Sequence, residues 1–252
     1  MAVLINEKID TLLETTSRSF YPTLKYLPKK IRGQIGLLYL LARVADTIAD
    51  TKHGETDFLT NLLQKYNEVA QGRSSELPDF SELATLQTNE HEAELLRHVH
   101  DVVEGLEIYS KEDQQRILEC LDTIVGGQIL DLQRFGPANE GGKISSLDSN
   151  KELDDYTFKV AGCVGVFWTD MSLAHVISIG SDKEEEFYEK GIRFGKALQM
   201  INILRDIPED LRFGRCYLPG EELEKHGLSP HDLLDKSNIE QFRPLYDEYL
   251  DV

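Results

Sequence analysis

Residues 31–50, IRGQIGLLYLLARVADTIAD, decide the fold. The apolar residues Ile35, Leu38, Leu41, Ala42, Ala45 and Ile48 recur at steps of three and four, the period of a helix with one buried face. Pro28 stands just ahead, where a fixed φ and a missing N–H suit a helix start. Residues 95–102, 117–132, 156–179 and 187–211 carry the same period, with breaks at Pro22, Pro28, 72–78, 136–142, 180–182 and 214–220. No run alternates as a half-buried strand would. The pattern predicts an all-α chain of about ten helices joined mostly by short loops, with 136–150 as a long polar loop. There is no internal repeat at solenoid spacing.

Composition narrows the classes. The 252 residues hold 27 Lys and Arg against 45 Asp and Glu, a net charge of −18. That excludes a general nucleic-acid binder, which needs a basic footprint, but not a small phosphate-bearing molecule held by a few arginines or a metal ion. Cys120, Cys163 and Cys216 are sparse and odd in number, which fits a reducing, cytoplasmic setting without a disulfide framework. No stretch without Asp, Glu, Lys or Arg runs longer than 171–181, too short to span a bilayer. Asn6, Glu7 and Asp10 do not fit a secretory signal.

Two acidic constellations stand out. Asp46 and Asp50 lie one turn apart on one helix face, with Arg43 beside them and apolar neighbours around them. Partly buried carboxylates that repel one another need a compensating cation. Mg²⁺ suits this, since it takes one or two carboxylates and fills its shell with water and substrate phosphates. An exposed acidic face paired with Arg43 is the plainer account of that motif alone. The second constellation is Gln199, Asn202, Asp206 and Asp210, again spaced by three and four amid Leu198, Ile201, Ile203, Leu204 and Ile207. Arg205 adjoins Asp206, and Pro208 is expected to kink the helix near Asp210. If the two helices face each other, they form a cation cage over an apolar pocket, suited to a diphosphate with a greasy organic part. Gly162, Gly165, Gly191 and Gly195 interrupt two apolar helices; they serve either close helix packing or room for a ligand.

The segments Ser17-Arg18-Ser19-Phe20, Tyr39–Asp50, Tyr156–Gly165, Gln199–Asp210 and Gly214–Pro219 resemble, in order, the squalene/phytoene synthase family. The resemblance implies one all-α domain over residues 1–252 with the isoprenoid synthase fold, helices around a central apolar cavity. Relatives continue for several helices past the position of Leu250, so the C-terminal helices that help close the prenyl pocket are expected to be lacking. It implies head-to-head joining of two prenyl diphosphates, closest to squalene synthase: farnesyl diphosphate to presqualene diphosphate and squalene, with Mg²⁺ and, for the last step, NADPH. Phytoene or dehydrosqualene synthesis, or a fold kept without catalysis, are the rivals. Asp46, Asp50, Asn202, Asp206 and Asp210 would hold Mg²⁺. Ser17, Arg18, Arg43, Arg205 and Arg215 would contact diphosphate oxygens, with Gln199 near the cage. Tyr39 and Tyr156 would line the reacting centre, Tyr156 serving proton transfer or cation stabilisation. Phe20, Val160, Ala161, Gly162, Val164 and Gly165 would shape the prenyl channel. Lys159 departs from the aromatic or small residue common there. Substrate and product of this kind imply peripheral membrane contact, while oligomeric state leaves no mark in the sequence. His91, His98 and His100, among Glu92 and Glu94, read as a solvated face.

Overall fold

The computed structural model describes residues 5–17, 20–51, 55–137 and 143–251. The first part of the chain is built from α1 (Glu7–Ser17), α2 (Phe20–Tyr26), α3 (Arg32–Ala49), α4 (Thr56–Ala70), α5 (Ser81–Leu86), α6 (Glu90–Arg97), α7 (Val99–Glu104) and α8 (Lys111–Phe135). The second part holds α9 (Asn150–Thr157), α10 (Cys163–His175), α11 (Glu184–Arg212), α12 (Gly220–Lys225) and α13 (Ile239–Leu250). The all-α expectation holds. The helix read from residues 31–50 is α3, buried on nearly every side: Leu37, Leu40, Leu41, Val44, Ala45 and Ile48 are fully inaccessible. It packs on α8 and α4, and α8 in turn packs on α10. A helix apolar all round belongs in the middle of a core, and α3 is the centre of this one.

Two departures have physical causes. Residues 156–179 are not one helix: α9 ends at Thr157, a π-helical turn spans Phe158–Gly162, and α10 follows. A π turn inserts an extra residue that sequence periodicity does not register. Two short strands, β1 (Ser145–Leu147) and β2 (Arg215–Pro219), pair in parallel. All of β2 is buried, so it lacks the alternation that marks a one-sided strand. The loop 136–150 therefore contains β1; it leaves α8 at Gly136, whose φ of 73° lies in the region glycine favours. The helix read from residues 187–211 is α11, which runs through Pro208 to Arg212.

The interior glycines resolve as close packing between α10 and α11. A Cβ on Gly165 would lie 2.0 Å from the Gly191 carbonyl oxygen, and one on Gly195 would lie 2.3 Å from that of Ala161. Two apolar cores result. One gathers α1 to α8 with Cys163, Phe167 and Met171 of α10. The other gathers Met200, Ile203, Leu204 and Leu211 of α11 with β2, Leu223 and Leu245. Among the described residues no helix is long and apolar enough to cross a membrane.

Candidate active site

The first acidic pair sits at the C-terminal end of α3. Gln128 of α8 donates from Nε2 to Asp46 Oδ1 at 2.5 Å. Burial, and then the charge of Asp50, push the Asp46 carboxyl up to about 7. Asp50, the helix cap, keeps its side chain 67% exposed. Arg43, one turn earlier, pairs with Glu92 of α6, while its Nε is buried without a partner. Glu92 thus belongs to this site, whereas His98 lies between Glu94 and Asp101 away from it. Tyr39 stacks on Phe20 with ring centres 5.0 Å apart, and its hydroxyl donates to the Thr16 carbonyl at 3.3 Å. Buried Ser17 donates back to its own helix at Leu13. Arg18 lies outside the described residues.

The second acidic pair is on the last turns of α11. Gln199 accepts from Asn202 at 3.4 Å. Arg205 forks onto its neighbour Asp206 with bonds of 2.8 and 2.6 Å, which holds that carboxyl below the usual range. The Arg205 side chain is otherwise exposed. One turn on, burial and the charge of Asp206 raise the Asp210 carboxyl to about 7.

Arg215 of β2 joins the two sides. Its Nη1 lies 3.8 Å from Asp50 Oδ1 and 3.4 Å from Oδ2 of Asp131, a buried carboxylate near the C-terminal end of α8. Tyr217, two residues along the same strand, donates to Asp131 Oδ2 at 2.9 Å. Tyr156 of α9 stacks on Tyr217 with centroids 4.6 Å apart and planes at 20°. Asp210, Arg215 and Tyr217 line one small cavity of about 10 Å³. Burial drives the Tyr156 hydroxyl far above its ordinary value. The structure therefore draws Asp50, Asp210, Arg215 and Tyr156 together, with Asp46 one turn from Asp50. It sets Ser17 and Arg205 on local partners.

The remaining residues form the flank. Val160 and Lys159 of the π turn press close to Gly127 of α8, and Gly162 packs beside Phe158 and Lys196. Val164 rests on the first core. Lys159 reaches Asp155 at 2.6 Å. A larger groove of about 620 Å³ runs along another flank of α11, between α9 and α13, floored by Leu153, Ile192, Met200 and Leu245.

Gln128, Asp131 and Tyr217 were not foreseen as site residues. One signal was available: Gln128 and Asp131 follow Ile124 at steps of four and three, so polar groups occupy a stripe that is otherwise apolar. Among the described residues no three His, Cys, Asp or Glu side chains form a cluster able to hold a metal by themselves.

The family model described as squalene/phytoene synthase matches residues 13–252. The chain is 27% identical over 241 residues to the 15-cis-phytoene synthase of Synechocystis sp., covering 91% of this chain and 60% of that protein. It is also 27% identical over 232 residues to squalene synthase ERG9 of Saccharomyces cerevisiae, covering 90% and 48% respectively. The chain thus spans between about a quarter and two-thirds of the length of the curated relatives it matches. Among solved structures, a complex of TcSQS with the ligand E5700 superposes with a TM-score of 0.72 at 21% identity, over 96% of this chain and 66% of that one, a likeness of fold.

Proposed function

We propose an activity from the premise that this chain belongs to the squalene/phytoene synthase family. Members of that family are prenyltransferases that condense prenyl diphosphates head to head. The activity proposed here is the joining of two farnesyl diphosphates to presqualene diphosphate and then squalene. The observation that carries it is Arg215, whose guanidinium stands 3.8 Å from Asp50 of one acidic motif and lines a cavity with Asp210 of the other.

In the proposed reaction the C1–O bond of one substrate breaks and its diphosphate leaves. The double bond of the second substrate attacks C1, and loss of a proton closes a cyclopropane. After the second diphosphate leaves, squalene requires one hydride from a donor such as NADPH, whereas dehydrosqualene or phytoene requires only loss of a proton. Arg215, Arg43, Arg205 and Arg18 with Ser17 hold diphosphate oxygens, for which a planar guanidinium is well shaped. Tyr156, kept protonated by burial, donates through its hydroxyl or turns its ring face to the cation. Tyr39, Phe20, Val160, Gly162 and Val164 shape the apolar wall, with Gln199 beside the diphosphates.

Mg²⁺ fits the donor set. Asp46, Asp50, Asn202, Asp206 and Asp210 offer only oxygen, and Asp46 and Asp210 each bear a repulsion from a neighbouring carboxylate that a cation relieves. The small number of carboxylates on each helix suits an ion that fills its shell with water and phosphate oxygens. When bound, Mg²⁺ supplies Lewis acidity and neutralises the departing diphosphate.

A phytoene-type product is the second reading, since a phytoene synthase and a squalene synthase match at the same 27% identity. The test is incubation of the whole protein with farnesyl or geranylgeranyl diphosphate and Mg²⁺, with and without NADPH, followed by lipid extraction and mass analysis. Squalene from farnesyl diphosphate only with NADPH is the expected result. Phytoene from geranylgeranyl diphosphate selects the second reading. No coupled product from either substrate defeats both.

A further inference from the structure

We infer that Asp131 is a positioning residue for this reaction: it fixes Arg215 beside Asp50 and, through Tyr217, sets the ring of Tyr156. The inference rests on the reading above, and it starts from the cost of the residue. A carboxylate on the buried side of α8, with a side chain 6% exposed, is costly unless cations and donors compensate it. Both compensating groups come from β2. Arg215 and Tyr217 stand two apart on β2, Tyr217 in the bulge that follows Cys216, and both reach Asp131 Oδ2, at 3.4 and 2.9 Å.

The geometry is not that of a closed structural ion pair. Such a pair would meet fork to fork, with both carboxylate oxygens against two guanidinium nitrogens. Here Asp131 Oδ1 and Arg215 Nε are both buried without a partner, and Nη1 is shared between Asp131 and Asp50. The guanidinium is thereby aimed past Asp131 toward the acidic pair of α3. The second arm runs through Tyr217, whose hydroxyl is anchored on Asp131 and whose ring carries that of Tyr156 at 4.6 Å. Asp131 acts through these two side chains.

The test is a double-mutant cycle of Asp131→Asn and Arg215→Lys, read on two quantities. One is kcat and KM for farnesyl diphosphate; the other is Kd for inorganic diphosphate with Mg²⁺ by calorimetry. Asp131→Asn keeps an acceptor for Tyr217 but loses the charge that aims Arg215. It is expected to lower kcat about 10–100-fold and to weaken diphosphate binding about tenfold. The double variant is expected to be no worse than Arg215→Lys alone. Tyr217→Phe removes the hydroxyl that bonds Asp131 and also neighbours Arg215, and is expected to lower kcat while weakening diphosphate binding less than Asp131→Asn does. Asp131→Glu, which restores the charge, should recover part of the lost rate. Additive losses in the cycle, or Asp131→Asn at wild-type kcat and Kd, overturn the inference. If the wild type converts no prenyl diphosphate, the proposed activity fails, and the binding cycle still decides whether Asp131 aims Arg215.

Discussion

Gly165→Ala is the sharpest test of how α10 and α11 are held. The new Cβ would stand 2.0 Å from the Gly191 carbonyl oxygen, 2.4 Å from its carbon and 3.0 Å from the Ile192 nitrogen. All three are backbone atoms of α11, so no side chain can swing aside. Non-bonded contact between heavy atoms is comfortable only near 3.5 Å, so the helices must part by about 1 Å or more. Overpacking costs about 1–3 kcal/mol, and more where backbone must move. Replacing helical glycine by alanine returns about 1 kcal/mol. The net loss is about 2 kcal/mol, roughly 4–8 °C of melting temperature in a domain of this size. Gly126→Ala is the matched control: it is also helical, on α8, but a Cβ there meets nothing within 4 Å. That variant should gain up to about 1 kcal/mol. Urea and thermal melts of both variants give the answer. Gly165→Ala melting at or above the wild type would refute the reasoning, and so would a Gly126→Ala variant that loses stability.

Asp46→Asn should stabilise the protein while abolishing turnover. The asparagine still accepts from Gln128, but the repulsion with Asp50 disappears. Since the folded carboxyl titrates near 7, above its unfolded value, the wild type loses stability as pH rises from about 4 to 7. The variant's advantage of about 1 kcal/mol, or 2–4 °C, should therefore appear near pH 8 and vanish near pH 4; equal melting of both proteins at pH 8 would contradict this. Tyr156→Phe keeps the stack on Tyr217 and removes only the hydroxyl. It should reduce kcat about 100-fold or more if that hydroxyl moves a proton, while losing only the bond to Tyr217, about 1 kcal/mol or 2–4 °C of melting temperature; rate retention would leave only the ring. Asp113→Asn removes the negative charge and one of the two oxygens that accept from Gln34 (Oδ2, 3.0 Å) and bond His175 and Arg116 (both Oδ1, 2.8 and 3.0 Å). Burial pushes that carboxyl up, but the bonds from Gln34 and His175 and the charge of Arg116 prevail and hold it low. Its stabilisation is present above the ordinary carboxylate range and is lost as pH falls through the folded value. The variant should melt roughly 4–8 °C below the wild type at pH 7, about 2 kcal/mol, with the gap closing toward pH 3. A gap that does not depend on pH would sink this account.

The helical architecture was legible because α3, α8 and α11 obey local rules. Periodic apolar residues mark a buried face, and carboxylates four apart on that face are anomalous without any knowledge of the partner helix. What bridges the motifs was not legible. Asp131 and Tyr217 are 86 residues apart, and their bond exists only once α8 and β2 meet. The same holds for the glycines, where packing and ligand room predict the same sequence and only the position of the Gly191 carbonyl separates them. The π turn adds one residue within a helical stretch, and β2 is buried on both faces, so neither leaves a periodic trace.

The pairing of β1 with β2 has a mechanical reason to exist. β1 follows α8, which carries Gln128 and Asp131, and β2 follows α11, which carries Asp206 and Asp210. Pairing the strands ties the ends of those two helices together. Ser145 donates to the Gly214 carbonyl at 2.9 Å, and Ser145 faces Arg215 across the ladder. Gly214 enters the turn with φ at 79°, and a Cβ there would lie 3.1 Å from the Lys143 carbonyl oxygen, so the approach needs glycine. Past Cys216 the ladder is bulged, Leu147 pairing with Pro219, and Tyr217 lies in that bulge where its hydroxyl reaches Asp131. A helix would place residues two apart on different sides. Only an extended segment lets one buried carboxylate hold an arginine and a tyrosine together, and the strand supplies that segment at the point where the two acidic helices come together.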